Sequence, residues 1–290
     1  MTAEKRMIGF INCNKPSGLT SSDVVSRIRR WSGGEKTGHT GTLDPGAAGV
    51  LPIALGKANR LFDFLTRKKK KYRAVFSFGV TTDTLDAYGA ILGRGRVPDE
   101  GEIRAVLPEL TGRISQIPPA YSAINVNGVR AYKLARNDIP VEISPREVEV
   151  FSFELKRRVD ESSFEFDITC GGGTYIRSLV RDLTARLGTV GYMSTLIRLY
   201  SGVFAIEDAL SLEEIRDDFG AAVLPAEFVL GGLKRFDVPE KNEKRLLNGI
   251  SLPISEEFEG GFFTVYSRDG LIGLAERKEG KLVFAARLDG

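Results

Sequence analysis

The apolar residues change period at Tyr72, and that change does most to limit the folds open to the chain. Tyr72, Ala74, Phe76 and Phe78 alternate with Arg73, Val75 and Ser77. Alternate side chains of an extended segment point to opposite faces, so the pattern predicts a strand with one buried side. Two further alternating runs, residues 147–155 and 163–170, flank a charged turn and read as a hairpin. Helical spacing governs other segments. Thr20-Ser21-Ser22-Asp23 supplies N-cap candidates ahead of Val24, Val25, Ile28 and Trp31, and Gly33-Gly34 ends that helix. A second helix is expected over about 57–65, burying Ala58, Leu61, Phe62 and Leu65. A third follows Gly171-Gly172-Gly173-Thr174, with Ile176, Leu179, Val180, Leu183 and Leu187 on one face. This mixture predicts an α+β fold: a mixed, mostly antiparallel central sheet flanked by helices.

Two segments depart from this order. Residues 116–146 carry Pro118-Pro119 at one end, Pro140 and Pro145 at the other, and Asn127-Gly128 between them. Prolines cannot complete a central ladder, so the segment reads as an inserted arm. After Gly231-Gly232 come short apolar stretches separated by Asp269-Gly270 and Glu279-Gly280. A chain of 290 residues has room for a main domain, 1–232, and a small β-rich appendage, 233–290.

Composition closes off several function classes. No apolar run approaches the roughly 18–20 residues of a membrane helix, and the first ten residues lack a signal peptide's apolar stretch. Two cysteines, Cys13 and Cys170, make no disulfide framework, and one histidine makes no multi-histidine metal site. The expectation is a soluble, cytoplasmic protein. Its charge is unevenly spread: residues 1–75 hold 15 Lys+Arg against 5 Asp+Glu, whereas the remainder holds 26 against 33. Arg27, Arg29, Arg30 and the run Arg67-Lys68-Lys69-Lys70-Lys71-Tyr72-Arg73 carry most of the excess. A basic face on an otherwise acidic chain suits a polyanion such as nucleic acid, and a solvated lysine run is the alternative.

The densest cluster of unusual residues is Lys36-Thr37-Gly38-His39-Thr40-Gly41-Thr42-Leu43-Asp44-Pro45-Gly46-Ala47-Ala48-Gly49. Its glycines imply tight turns or close backbone approach. Asp44, held out of helix by the following proline, is either a nucleophile or general base, or part of an ordinary Asp-Pro turn. No Gly-Lys-Ser/Thr follows the glycines, so the loop is not a P-loop. Asp83 and Asp86 lack the spacing and company of a metal site.

His39-Thr40-Gly41-Thr42-Leu43-Asp44-Pro45 is similar to the signature loop of the TruB family of pseudouridine synthases. Lys71-Tyr72-Arg73, Asp83-Thr84-Leu85-Asp86, Pro119-Ala120-Tyr121-Ser122-Ala123, Gly173-Thr174-Tyr175-Ile176-Arg177 and Leu196-Ile197-Arg198-Leu199 follow in the family's order. Lys15-Pro16-Ser17-Gly18-Leu19-Thr20 resembles a stretch that packs near the family's catalytic loop. The likeness covers residues 8–210.

The resemblance implies the pseudouridine synthase fold, with a PUA-like C-terminal domain and a thumb-like RNA-binding arm at 116–146. The implied reaction isomerises the uridine at position 55 in the T loop of tRNA, without metal or cofactor. It gives Asp44 the role of nucleophile or base, Arg177 that of the cation keeping Asp44 ionised, and Tyr72 a stacking role against the flipped base, with possible proton transfer. His39 would lie on the flipped nucleotide's path and Leu196 would wall the uracil pocket. Lys15, Lys68, Lys69, Lys70, Lys71 and Arg73 are assigned to RNA contacts, the lysine run holding phosphates of the T stem-loop. The implied protein is a monomer with no obligatory protein partner. Two rivals are a non-catalytic tRNA-binding or folding module and a guide-dependent rRNA pseudouridine synthase.

Overall fold

A computed structural model describes residues 7–122, 124–126, 128–131, 134, 137 and 142–289. Seven strands run edge to edge in the order Gly9–Lys15, Ala48–Leu55, Gly191–Ser201, Lys70–Phe78, Ser163–Cys170, Arg146–Arg158 and Gly112–Gln116. Thr37–His39 is added beside the second and Phe204–Ala205 beside the third. The contact of Ala48–Leu55 with Gly191–Ser201 is parallel, and the other pairings described in this sheet are antiparallel. The sheet is therefore mixed and mostly antiparallel, as the sequence predicts. The alternating run at Tyr72 lies on a central strand that starts two residues earlier, at Lys70.

One face of the sheet is covered by the helices Ser21–Trp31 and Ile176–Arg186. Val24 and Ile28 from the first, and Leu179, Val180 and Leu183 from the second, join Ile11, Leu51, Phe76 and Phe166 in a single core. Removing each such side chain from water contributes roughly 1.5–3 kcal/mol. Thr20 caps the first helix, its side chain accepting from the Asp23 N–H while Asp23 accepts in return from Thr20.

The segment expected as one helix over 57–65 is instead a 3-10 helix, Gly56–Leu61, running into a short α-helix, Phe62–Thr66. Three residues per turn put Ala58 and Leu61 on one buried face, and Phe64 and Leu65 of the α-helix join them in the same cluster. Phe62, expected in the core, is turned outward and is 44% exposed. Beyond Gly232 the strands Lys234–Asp237, Phe262–Ser267, Gly270–Lys278 and Lys281–Arg287 form a separate four-stranded sheet. One side of it closes over its own core of Leu246, Phe258, Phe263 and Val265. From the other, Leu274, Ala286 and Leu288 pack with Phe10, Val50 and Leu61 of the main sheet's region.

Gln116 and Arg146 are register partners at the last rung of the edge strand, so residues 117–145 leave and re-enter the sheet at one point. Within them Asn125–Val126 pairs with Val129–Arg130. Ala123, Asn127 and Pro140, singled out in the sequence, lie outside the described residues.

The register also builds one row across the sheet. Lys15 opposes Gly49, Gly49 opposes Arg198, Arg198 opposes Tyr72 and Tyr72 opposes Ile168. Gly49 is needed in that row: its φ is +99°, and a Cβ there would stand 2.4 Å from the Arg198 carbonyl oxygen and 2.9 Å from its nitrogen. The backbone conformation and the clash are both unfavourable for any side chain. Gly49→Ala is expected to destabilise the protein by at least about 2 kcal/mol, read as a lowered denaturation midpoint. An unchanged midpoint would mean that the two strands part readily here.

Candidate active site

The loop between Thr37–His39 and Ala48–Leu55 carries Asp44, and its backbone is held at successive points. Arg198 Nη2 donates to the Gly41 carbonyl at 3.0 Å. Ser21 Oγ donates to the Leu43 carbonyl and accepts from the Leu43 N–H, each at 2.9 Å. Ala47 N–H closes a turn onto the Asp44 carbonyl at 3.0 Å, with Pro45 at the position that favours a fixed φ. The Pro45 carbonyl accepts from Gly18 N–H and from Lys15 Nζ. The Asp-Pro turn and the candidate carboxylate are thus one feature, with the turn serving to aim the side chain.

Lys15 requires a correction. It is fully buried, and its ammonium donates to the carbonyls of Pro16, Leu19 and Pro45 at 2.9, 2.6 and 3.2 Å. Burial lowers its pKa to about 8, against the pull of Asp44. It braces the Asp44 turn from beneath and has no exposed surface to offer a phosphate.

Arg177 enters from the first turn of Ile176–Arg186, just past the glycine turn at 171–173. Its Nε lies 2.9 Å from Asp44 Oδ2 and its Nη2 3.2 Å from Oδ1, a two-pronged pair. Nη1 also donates to the Thr84 carbonyl at 3.1 Å and Nη2 to the Tyr121 carbonyl at 2.8 Å. Asp86 Oδ2 stands 3.9 Å away as a second counter-charge. Asp86 Oδ1 accepts from Thr84 Oγ1 and Tyr88 N–H, and Asp83 Oδ1 accepts from Ala90 N–H. These carboxylates shape a loop that presents Asp86 to Arg177. The Arg177 side chain is 6% exposed and that of Asp44 35%. The guanidinium is therefore walled in while the carboxylate keeps an open side.

That open side faces a cavity of about 250 Å³. Tyr72 and Leu196 line it as the sequence leads one to expect, with Ile176 and Met193 adding apolar wall. Burial pushes the Tyr72 phenol above its ordinary pKa, and Arg198 opposes the shift through its charge and a hydrogen bond. Tyr72 is thus a neutral donor and a flat surface at neutral pH. Arg198 and Lys70 also reach the cavity. Arg198 is 1% exposed and was given no role by the sequence, although its inward register two residues after Leu196 was the available signal.

The remaining expected residues fall outside this cavity's lining. His39 ends its short strand opposite Ile53, half-buried, with Nδ1 unpartnered among the described residues. Burial first, and then Arg198, lower its pKa, so it is neutral at pH 7. The lysine run does not form one patch. Lys70 is buried. Lys71 and Arg73 both pair with Asp167, at 3.2 Å and, through Arg73 Nε, 2.8 Å, which offsets charge that phosphates would use. Lys68 and Lys69 lie over the rings of Phe64 and Phe151 at 4.0 and 3.9 Å and retain the solvent side.

Comparison with known proteins gives a consistent result. The model of the TruB family pseudouridylate synthase N-terminal domain matches residues 29–176. A tRNA pseudouridine synthase B of Caldanaerobacter subterraneus subsp. tengcongensis is 40% identical over 273 residues, covering 92% of this chain and 95% of that protein. The protein of that name from Streptococcus sanguinis is 40% identical over 288 residues, covering 94% and 97%. Among solved structures, a chain from a Cbf5-Nop10-Gar1 complex superposes with a TM-score of 0.72 at 26% identity, covering 97% of this chain and 84% of its own.

Proposed function

The chain belongs to the TruB family of pseudouridylate synthases, and on that premise we propose that it converts uridine 55 in the T loop of tRNA to pseudouridine, with Asp44 as the reactive carboxylate. The observation that carries the reading is the Asp44–Arg177 pair, closed behind by protein and open in front to a base-sized cavity beside Tyr72. Isomerisation breaks the N1–C1′ bond, turns the uracil and rejoins it to C1′ through C5. Each route from uridine to pseudouridine needs an anionic oxygen near C1′ and C6. Asp44 supplies that oxygen, and Arg177 offsets the cost of holding its charge in a partly closed site. The target base leaves its stack at a cost of a few kcal/mol, and stacking on Tyr72 recovers about 1–3 kcal/mol. Leu196 walls the uracil, and His39 meets the strand outside the cavity. The arm at 116–146 closes over the T loop.

A pure RNA-binding module has no use for a carboxylate facing a nucleotide cavity, since it repels phosphate. A guide-dependent enzyme is disfavoured because the relatives aligned over nearly their whole lengths at 40% identity are named as tRNA enzymes. The expected location is the cytoplasm, and the working form is a monomer without an obligatory protein partner. Incubating the purified protein with an unmodified tRNA transcript, and no guide RNA, is expected to give one pseudouridine at position 55 by chemical mapping. Failure to modify, or modification only with a guide, sinks the reading.

Lys68 and Lys69 are the members of the lysine run placed to hold phosphate. Lys68→Gln with Lys69→Gln is expected to weaken tRNA binding and reduce the salt slope of log Kd by roughly one per lysine, leaving the saturated rate unchanged. A wild-type slope would remove both residues from the RNA path.

A further inference from the structure

Besides Arg177, the cavity is lined by two buried cations with no carboxylate partner among the described residues. Lys70 is 6% exposed; its ammonium donates to the carbonyls of Thr66 and Lys68 at 2.8 and 3.1 Å, leaving one N–H unspent among the described residues. Arg198 uses Nε on the Val50 carbonyl at 2.6 Å and Nη2 on the Gly41 carbonyl. Both line the cavity. The nearby carboxylates are occupied elsewhere, Asp44 by Arg177 and Asp167 by Lys71 and Arg73. Two like charges removed from water without a counter-ion are unfavourable, and such an arrangement persists where the site must meet an anion.

Two anions are available in the reaction, a backbone phosphate and the detached uracil. A phosphodiester continues into nucleotides on both sides, and Lys70 at 6% and Arg198 at 1% exposure offer no open surface for a strand to run along. Uracil fits. When N1–C1′ breaks, the bonding pair leaves with the base and its charge spreads over N1, O2 and O4. The charge is discharged when C5 bonds to C1′, C5 gives up its proton and N1 gains one. Between these events the anion is held among Tyr72, Leu196 and Met193, walls that offer it little charge.

We propose that Lys70 is a catalytic residue whose free N–H stabilises negative charge on a carbonyl oxygen of the detached uracil, with the buried charge of Arg198 behind it. This rests on the reading of the protein as a pseudouridine synthase. It also accounts for a lysine at this rung, where an apolar residue would pack at lower cost.

The test compares wild-type, Lys70→Met and Lys70→Arg proteins on a tRNA transcript, measuring the single-turnover rate at saturating enzyme, the Kd by filter binding and the melting temperature. Wild-type turnover comes first. If it is absent, the reading as a synthase fails; if it is present, the variants judge Lys70 alone. Lys70→Met is expected to lower the rate about 100-fold or more, with Kd within about threefold and melting temperature close to that of wild type, because loss of the donor to the Thr66 and Lys68 carbonyls is offset by removal of an unpaired buried charge. Lys70→Arg is expected to recover part of the rate. A wild-type rate in Lys70→Met overturns the proposal, as does a loss appearing in Kd, or a rate loss that follows a lowered melting temperature.

The pH profile supplies a second readout. Burial and Arg198 lower the Lys70 pKa to about 8, so the wild-type rate is expected to fall as pH rises from 8 to 9. The titratable neighbours of Lys70 lie above that range: burial pushes Cys170 up to about 11 and raises Tyr72 above its ordinary value. Lys70→Arg is expected to remove the fall. If its rate still falls, another group is responsible, Lys15 being the other buried amine near pH 8, and the proposal is overturned.

Discussion

Asp44→Asn is expected to abolish pseudouridine formation, by a factor on the order of 10⁴ or more, while tRNA binding is kept or tightened. The asparagine has the same shape, and the loop that presents it is fastened through backbone contacts at Gly41, Leu43, Asp44 and Pro45. The position of the side chain therefore survives. Arg177 can still donate to the amide oxygen, so the substitution removes an anion and little else. Stability is expected to change by about 1 kcal/mol or less, since Asp44 is partly exposed and its pairing is screened. Binding improves if anything, because a carboxylate no longer faces the incoming phosphates. The measurement is pseudouridine mapping alongside filter binding on the same transcript. Turnover within tenfold of wild type would show that the reactive oxygen lies elsewhere.

The sequence exposed the parts of this site that depend on local pattern. Strict alternation from Tyr72 placed a strand, and the strand is central because its neighbours at 163–170 and 191–201 are equally apolar on the facing side. The proline after Asp44 marked a turn, and the turn is what aims the carboxylate. Long-range pairing was hidden. Lys70 and Lys71 are adjacent and alike in charge, yet a strand sends one into the cavity and the other to Asp167, nearly a hundred residues away in the chain. The lysine run thus looked uniform when its members have three different fates. Lys15 misled for the same reason, since nothing local reveals that three carbonyls converge on its ammonium. Phe62 failed because the three-residue turns of Gly56–Leu61 set the phase in which the following α-helix begins, with Phe62 outward. Leu85, in a left-handed conformation at φ 60°, makes the turn that directs Asp86 toward Arg177, a conformation that leucine's identity does not announce.

Arg177→Met carries the other large expected effect, and it separates two jobs done by one side chain. The guanidinium joins three segments that are distant in sequence: the Asp44 turn, the 82–86 loop through the Thr84 carbonyl and Asp86, and the start of the arm through the Tyr121 carbonyl. Methionine fills much of the same space but strands two carboxylates and two carbonyls. Asp44 is partly exposed, so the cost falls chiefly on the Thr84 and Tyr121 carbonyls, each left without its donor at about 1–3 kcal/mol, and a clear fall in the denaturation midpoint is expected. The saturated rate is expected to fall at least about 10³-fold, because Asp44 loses both its counter-charge and the two-pronged grip fixing its plane. Arg177→Lys divides these effects. An ammonium restores charge and recovers part of the stability, but it cannot span both oxygens of Asp44 while reaching the two carbonyls. Its rate is therefore expected to stay nearer that of the methionine variant than that of wild type. If lysine restores the rate fully, charge alone sustains the reaction and the fork geometry is incidental. If methionine leaves the rate intact, Asp44 is held ionised without Arg177, and the pair is structural.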